Sequence, residues 1–330
     1  MLMMAKSVFA MMIGFMLSTG LGLFLIPVLK RMRIGQRISI YVGESHKKKE
    51  GTPTMGGLIF IIPTLITTLL LVLFDKIEIS DNLVIIILVM MGYAILGFLD
   101  DYLSLKRADN EGLTTMQKLF GQVIIALVFF YILMRGGAEP IVWIHTLGIK
   151  VNLGWFYGIF ILLVLVGMSN AVNITDGLDG LTGGLSVISF LTFGLICWGA
   201  DWIMSHDAMA IFCFILAGSI LGFLVYNTHP AKVFMGDTGA LCLGATLAAV
   251  AILARYEVTL FIVGGVFMIE TLSDIIQYIS IRLRGRKVFL MTPLHHHFEK
   301  LGWSEQDIVK LFWIIGLILA MCSLTFGIWI

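Results

Sequence analysis

Residues 83–105 read LVIIILVMMGYAILGFLDDYLSL. The uncharged run from Leu83 to Leu99 ends in two adjacent carboxylates, Asp100 and Asp101. With its flanks the run is long enough for a spanning helix, which takes about 20 mostly apolar residues. A carboxylate pair near hydrocarbon is costly, because each charge loses its hydration. The arrangement recurs twice. Asp176 and Asp179 follow an apolar run ending near Val172, and Asp237 follows one ending near Tyr226. Lys and Arg are the usual anchors at membrane ends, so acids in these places call for another reason. Acids gathered at one membrane face suit a divalent cation and a phosphorylated substrate. The plain alternative is that they only cap helix ends.

The whole chain agrees with the reading of that segment. Hydrophobic residues make up 59% of the 330 and charged residues 13%, with a mean hydropathy of +0.99. A soluble domain carries about 25% charged residues. The composition predicts an all-α polytopic membrane protein, a single transmembrane catalytic domain over 1–330. The net charge of +1 says little about partners. Cys197, Cys213, Cys242 and Cys322 lie in apolar stretches without metal spacing and read as reduced packing residues. The first apolar run, Ala5 to Leu29, is too long for a signal core and has no clear cleavage site after it.

Ten spans are expected, at about 5–29, 55–73, 82–99, 119–135, 154–172, 182–199, 208–226, 239–255, 259–281 and 307–328. Basic residues set their orientation. Lys30, Arg31, Arg33, Arg37 and Lys47 to Lys49 follow the first span; Lys106, Arg107 and Lys118 follow the third. Lys232 and then Arg282, Arg284, Arg286, Lys287 and Lys300 fall on the same side, sixteen in all. The other side has five: Lys6, Lys76, Arg135, Lys150 and Arg255. The odd-numbered connections are therefore expected in the cytoplasm and both termini outside, which puts every acidic cluster on the cytoplasmic face. One outer connection differs. Ile141–Ile144 and Ile149–Val151 are alternating stretches rich in β-branched residues around a Leu-Gly turn and predict a short β-hairpin near 141–152. Glu270 and Asp274, four apart, share one face of the ninth span and suggest a local break or cavity there.

Five polar stretches carry candidate chemistry. In HKKKEGTPTMGG (46–57) lysines offer point charges for phosphate, and Gly and Thr (Thr54 among them) offer N–H and hydroxyl donors. Lys47 and Lys48 read as membrane anchors; Lys49, nearest the Gly-Thr turn, reads equally as anchor or ligand. In LDDYLSL (99–105) neighbouring carboxylates point about 100° apart on a helix. One is free to reach a cation or phosphate while the other braces a second group. In SNAVNITDGLDGLTGG (169–184) Asn170, Asn173, Asp176 and Asp179 stand without any Lys or Arg, and a helical turn aligns Asn173, Asp176 and Asp179. The EF-hand pattern is absent; the alternative is a polar loop with Asx turns. In YNTHPAKVFMGDTG (226–239) Phe234 is placed to stack on a base and Asp237 to approach a cation, while His229 reads as structural. In MTPLHHHFE (291–299) consecutive side chains diverge and no Cys assists, so zinc is disfavoured. His295, His296 and His297 are expected to donate hydrogen bonds or charge to a diphosphate.

Taken together, GTPTMGG, LDDY, NAVNITDGLDGL, FMGDTGAL and TPLHHHFE resemble the polyprenyl-phosphate N-acetylhexosamine-1-phosphate transferase family, in its phospho-N-acetylmuramoyl-pentapeptide branch. The likeness runs from His46 to Glu299 in order, and ten spans with outward termini match that family. The resemblance implies transfer from UDP-N-acetylmuramoyl-pentapeptide to undecaprenyl phosphate, giving lipid I and UMP with Mg²⁺, in a bacterial cytoplasmic membrane. It implies Asp100, Asp101, Asp237 and His295 as catalytic residues and Asp237 with Asp100 as metal ligands. Lys49, Thr54, Asn170, Asn173, Asp176, Asp179, Asn227, Phe234, His296 and His297 are implied to bind substrate. The family often has a lysine four residues after the first Asp of its second motif; Ser104 stands there, and Lys106 follows. No nucleic acid is expected as partner, membrane lipids are, and a homodimer is compatible with the chain.

Direct attack by the lipid phosphate, with Asp100 as base or orienting group, is the favoured mechanism; a two-step route through an aspartyl intermediate is the alternative. A secondary transporter would place charges near mid-membrane and show a two-half repeat, whereas these acids sit at one end. Within enzymes, the runner-up is the related transferase that uses UDP-N-acetylglucosamine.

Overall fold

The computed structural model describes residues 2–32, 51–107, 112–199 and 206–328. Lys49 lies outside them. The helices are α1 Leu2–Arg31, α2 Leu58–Leu73, α3 Asp81–Lys106, α4 Thr115–Arg135, α5 Phe156–Thr175, α6 Leu181–Gly199 and α7 His206–Asn227. They continue as α8 Gly236–Leu253, α9 Glu257–Val263, α10 Gly265–Arg284, α11 Leu294–Lys300 and α12 Glu305–Ile328. Among the described residues eight helices are long and apolar enough to cross a membrane, or nine with α9 and α10 taken as one broken span. The chain is a polytopic, predominantly helical membrane protein.

Two of the ten expected spans take a different form. The second is the 16-residue α2, which begins at Leu58 rather than near residue 55. Met55 has φ +66°, and the Gly56 and Gly57 amides bond to the carbonyls of Phe234 and Met235 at 2.8 and 2.9 Å, so this stretch pairs with another loop instead of coiling. The ninth is two helices meeting at 80°. The α9 ladder ends with the Gly264 N–H on Leu260 O, and α10 restarts with the Met268 N–H on Gly264 O. Along α10 the usual polarity is inverted. Glu270, Ser273, Gln277 and Ser280 are buried in one stripe, while Ile269, Leu272, Ile275, Ile276 and Ile279 are exposed. The stripe satisfies irregular backbone: Gln277 accepts the Val288 and Phe289 amides, and Ser280 donates to Arg286 O. Asp274, the other acid on this helix, is only partly buried.

The centre of the bundle is α6, α7 and α8, 78%, 83% and 89% buried, whereas α1 and α4 are 28% and 22% buried and turn their apolar faces outward. In lipid no hydrophobic drive pulls helices together, so close van der Waals packing must do it. The approach of α3 to α8 shows how close this is. A Cβ added at Gly97 would lie 2.2 Å from Asp237 O. That contact brings the end of α3 and the start of α8, and therefore Asp100, Asp101 and Asp237, to one place. Local signals fix the ends. Ser80 accepts the Leu83 N–H at the start of α3, and Thr114 and Gln117 form a reciprocal capping box on α4.

Between α4 and α5, strands β1 Ile141–Ile144 and β2 Ile149–Asn152 pair antiparallel, with Val142 opposite Val151. The pair is held by a stack of rings. Lys150 lies 4.2 Å over Trp143, Trp143 stacks on His145, and His145 on Tyr256 at 4.0 Å between centroids. Burial, and then the Lys150 charge, push the His145 imidazole down to about 4. A cavity of about 980 Å³ lies at this end of the helices, bordered by Lys6, Asp75, Glu78 and Arg255. The described parts of the five polar motifs gather at the other end.

Candidate active site

Asp100 and Asp101 leave the last turns of α3 in different directions, and their work differs. Asp101 Oδ2 accepts the Thr238 N–H at 3.0 Å and the Thr238 hydroxyl at 2.6 Å, and Oδ1 accepts the Asp237 N–H at 3.2 Å. Both oxygens are thus bound to the first turn of α8, where helix amides lack intrahelical partners. Gly236 precedes them with φ +73°, and a Cβ there would lie 2.5 Å from Asp101 Oδ2 and 2.6 Å from Thr54 Oγ1. Glycine therefore meets two needs at that position. Asp100 faces the other way. Its Oδ1 accepts the Leu113 N–H at 2.9 Å and its Oδ2 lies 3.3 Å from Lys118 Nζ.

Lys118 is the residue that the sequence reading missed. Its ammonium also pairs with Asp237 Oδ2, so one cationic group contacts carboxylates from α3 and α8. The other oxygen of Asp237 accepts from Asn173 Nδ2 at 2.8 Å. Lys118 had counted only as a positive charge at a membrane face. A sharper signal was present: Lys118 and Gln122 are four apart, hence on one face of an otherwise apolar span. Gln122 is buried and exchanges amide hydrogen bonds with Asn170, whose Nδ2 also donates to Val166 O. Asn170 is therefore one position back from the acids, and Asn173 is the amide that reaches them.

Asp176 ends α5 beside this group. Lost hydration, and then the nearby Asp237, Asp101 and Asp179 charges, push its carboxyl up to about 7. Asp179 joins loops. Its Oδ2 accepts the Ala231 N–H at 3.0 Å, and its own N–H donates to Glu305 Oε1 at 2.6 Å. His229 Nδ1 lies 3.2 Å from Asp179 Oδ2 and 3.4 Å from Glu305 Oε2. Asn227 accepts the Gly180 N–H and donates to Val233 O. These contacts fix the half-buried Phe234, whose N–H donates to Pro53 O, next to Thr54. Thr54 is 2% exposed, and its hydroxyl has no hydrogen-bond partner among the described residues.

The three histidines have three different settings. His295 is buried, with Nδ1 2.9 Å from Glu270 Oε2. His296 Nδ1 meets Glu299 in its own helix, and His297 Nδ1 accepts the Leu290 N–H at 3.1 Å. The structure thus brings Asp100, Asp101, Asn173, Asp176 and Asp237 to one basin with Lys118. Asp179, Asn227, Phe234 and Thr54 form the adjoining loop wall, and His295 packs against that wall at Gly177. For a metal, the available donors in the basin are hard oxygens that already share one cationic group, which fits Mg²⁺. A separate set, Asp179, His229 and Glu305, holds its ligand atoms within 4.8 Å of one another.

A family profile described as Glycosyl transferase family 4 matches residues 83–255, which covers α3 to α8. A second, phospho-N-acetylmuramoyl-pentapeptide-transferase signature 1, matches residues 49–61. The phospho-N-acetylmuramoyl-pentapeptide-transferase of Oceanobacillus iheyensis is 47% identical over 309 residues, 94% of each chain. Those of Bacillus subtilis and Geobacillus kaustophilus are each 46% identical over 323 residues, 98% of each chain. With the first match spanning Asp100 to Asp237, the second on the Gly-Thr stretch at Thr54, and relatives matched almost end to end, the chain belongs to the phospho-N-acetylmuramoyl-pentapeptide-transferase family.

Proposed function

We propose that this chain transfers phospho-N-acetylmuramoyl-pentapeptide from its UDP-activated donor to undecaprenyl phosphate, forming lipid I and releasing UMP in peptidoglycan synthesis. The observation that carries the reading is the shared Lys118 ammonium between Asp100 and Asp237, with Asn173 on the remaining oxygen of Asp237. Two phosphate-bearing substrates repel each other, and a basin of oxygen ligands with a movable ammonium suits bringing them together.

Asp237 and Asp100 are the residues to hold Mg²⁺, which when bound neutralises the diphosphate and stabilises the departing UMP. Lys118 adds positive charge at the same place. Asn173 holds the Asp237 carboxylate in one orientation, and Asp101 fixes the backbone that presents it. Phe234 offers a ring face for the uracil, with Thr54, Asn227 and Asp179 setting its loop, and Lys49, His296 and His297 complete the substrate contacts. The lipid phosphate, with a second pKa near 6, is already nucleophilic at pH 7. Asp100, the acid with an oxygen facing the basin, orients it or takes its last proton.

The proposed topology has ten spans: the eight long helices, the short α2 and the broken α9–α10. The sixteen-to-five distribution of basic residues supports outward termini, an outer β1–β2 pair and a cytoplasmic basin in a bacterial inner membrane. The whole chain acts as a single catalytic unit.

The test is release of UMP by purified protein given labelled UDP-sugar and undecaprenyl phosphate, with and without Mg²⁺. Release with the muramoyl-pentapeptide donor and dependence on Mg²⁺ are expected. Release with UDP-N-acetylglucosamine alone would reverse the donor assignment.

A further inference from the structure

Glu270 and His295 form a pair that the reaction as described leaves unexplained. Both side chains are 1% exposed. Glu270 comes from α10, six residues past the break at Gly264, and His295 from the first turn of α11. The Glu270 carboxylate makes three contacts to this one residue. It lies 2.9 Å from Nδ1, and Oε1 and Oε2 accept the His295 backbone N–H at 3.2 and 3.4 Å. Pro293, at the cap position of α11, makes no side-chain cap bond, so Glu270 caps the helix from a neighbouring one. A carboxylate this buried is tolerable only when its lone pairs are filled by good donors.

The consequence for the ring is specific. With a carboxylate on Nδ1, that nitrogen carries a proton in either charge state of the imidazole. Nε2 is then the one ring nitrogen left for chemistry. It is buried, has no hydrogen-bond partner among the described residues, and faces Gly177. A Cβ at Gly177 would lie 2.3 Å from it. Gly177 directly follows Asp176 and lies two residues before Asp179. A buried ring nitrogen without a partner costs stability, and native proteins keep such groups mainly where function needs them.

We propose that Glu270 is a positioning residue for the transfer: it fixes the tautomer and orientation of His295 and so holds Nε2 against the Asp176–Asp179 loop. This rests on the transferase reading above. Glu270 touches no reacting atom; it acts through His295. The role also gives the α9–α10 break a purpose, because a straight span would carry Glu270 elsewhere.

The test compares Glu270→Gln, Glu270→Asp and Glu270→Ala in the lipid I assay, alongside ¹⁵N-histidine spectra of the wild-type protein in micelles. A carboxamide can turn its NH₂ toward Nδ1 and permit the other tautomer. Glu270→Gln is therefore expected to lower kcat about 10- to 100-fold, the scale seen when a carboxylate partner of a functional histidine is removed. KM for the UDP donor should stay within about three-fold, as expected when binding is spared. Glu270→Asp, which keeps the charge, should recover much of the loss. The His295 signal, assigned by its disappearance in His295→Gln, should show a protonated Nδ1. Wild-type kcat in Glu270→Gln, or Glu270→Asp no better than Glu270→Ala, overturns the proposal. So does a wild-type His295 with a bare Nδ1, which decides the matter even where a variant fails to fold. If the wild type makes no lipid I, the transferase reading fails separately, and the Nδ1 signal still judges the pair.

Discussion

Asp101 holds Thr238 by both its backbone and its side chain, at 3.0 and 2.6 Å, and through it the first turn of α8. Its partner in sequence, Asp100, turns to Lys118 instead. Of the adjacent acids, one thus braces α8 and the other faces the basin. Asp101→Asn leaves one acceptor oxygen for three donors, so a buried amide or hydroxyl loses its partner. The expected loss is about 1–3 kcal/mol of stability, seen as a lower unfolding midpoint in detergent, together with reduced turnover. Thr238→Val removes one donor and should cost about 1 kcal/mol. If Asp101→Asn keeps its midpoint while losing activity outright, Asp101 is a chemical group and not a brace.

The shared ammonium makes a separable prediction. A divalent cation at Asp100 and Asp237 has to displace Lys118 from carboxylates that it already neutralises. Lys118→Gln should therefore bind Mn²⁺ more tightly than the wild type, read by electron paramagnetic resonance, while its turnover falls. Asp237→Asn removes the ligand itself and should lose both Mn²⁺ binding and at least about 100-fold in turnover, the scale for losing a charge-stabilising contact. Weaker Mn²⁺ binding in Lys118→Gln would show that the ammonium assists the cation and does not compete with it.

The acids were legible in the sequence because charge next to a long apolar run is rare and costly. The strand pair at 141–152 was legible from β-branched alternation. Lys118 was not, because a lysine near a membrane end is ordinary; its meaning depends on α4 packing beside α3, which no local pattern states. Glu270 was read with Asp274 as a sign of a local break or cavity in the ninth span, but its pairing with His295 was not legible. Its partner lies 25 residues on, across the α10–α11 loop, and a helix with its polar stripe inside looks the same in sequence as one with that stripe in water. A break somewhere in that span was expected, but its place at Gly264 and its angle were equally hidden. Hydropathy averages over both halves, and an 80° turn leaves the apolar count unchanged.

Two titrating groups outside the spans should give opposite pH slopes. Asp176, pushed up to about 7, binds its proton more tightly folded than unfolded. Its contribution to stability is complete below about pH 4, the unfolded carboxyl value, and is lost as pH rises toward 7. His145, pushed down to about 4, is held neutral in the fold. Its contribution is complete above about pH 6.5, the unfolded imidazole value, and is lost as pH falls toward 4. The windows overlap, so the wild type should show a shallow profile. Asp176→Asn should leave the acid-side loss exposed, with the unfolding midpoint falling as pH drops from 6.5 to 4. His145→Gln should leave a midpoint that falls as pH rises through the same range. Parallel profiles for the two variants would mean that neither group sets the pH response.

Gly97 offers the most direct test of how the basin is assembled. A Cβ there would sit 2.2 Å from Asp237 O and 2.7 Å from the Thr238 amide nitrogen, both backbone atoms that cannot rotate away. Gly97→Ala therefore has to push α3 from α8 at the level where Asp100, Asp101 and Asp237 meet. Overpacking of this kind costs about 1–3 kcal/mol, but the larger effect is geometric. An outward shift of α3 carries both carboxylates with it, stretching the Asp101–Thr238 bonds and the Asp100 side of the Lys118 bridge together. The expected outcome is a folded variant with a lowered unfolding midpoint, turnover reduced at least about ten-fold by misplaced groups, and weakened Mn²⁺ binding. Gly92→Ala is the control on the same helix. A Cβ there would meet only flexible Ile125 side-chain atoms, the nearest at 3.2 Å, so activity close to wild type is expected. Equal loss in the two variants would show that α3 tolerates no added methyl anywhere, and that close contact at Asp237 has no special part in building the basin.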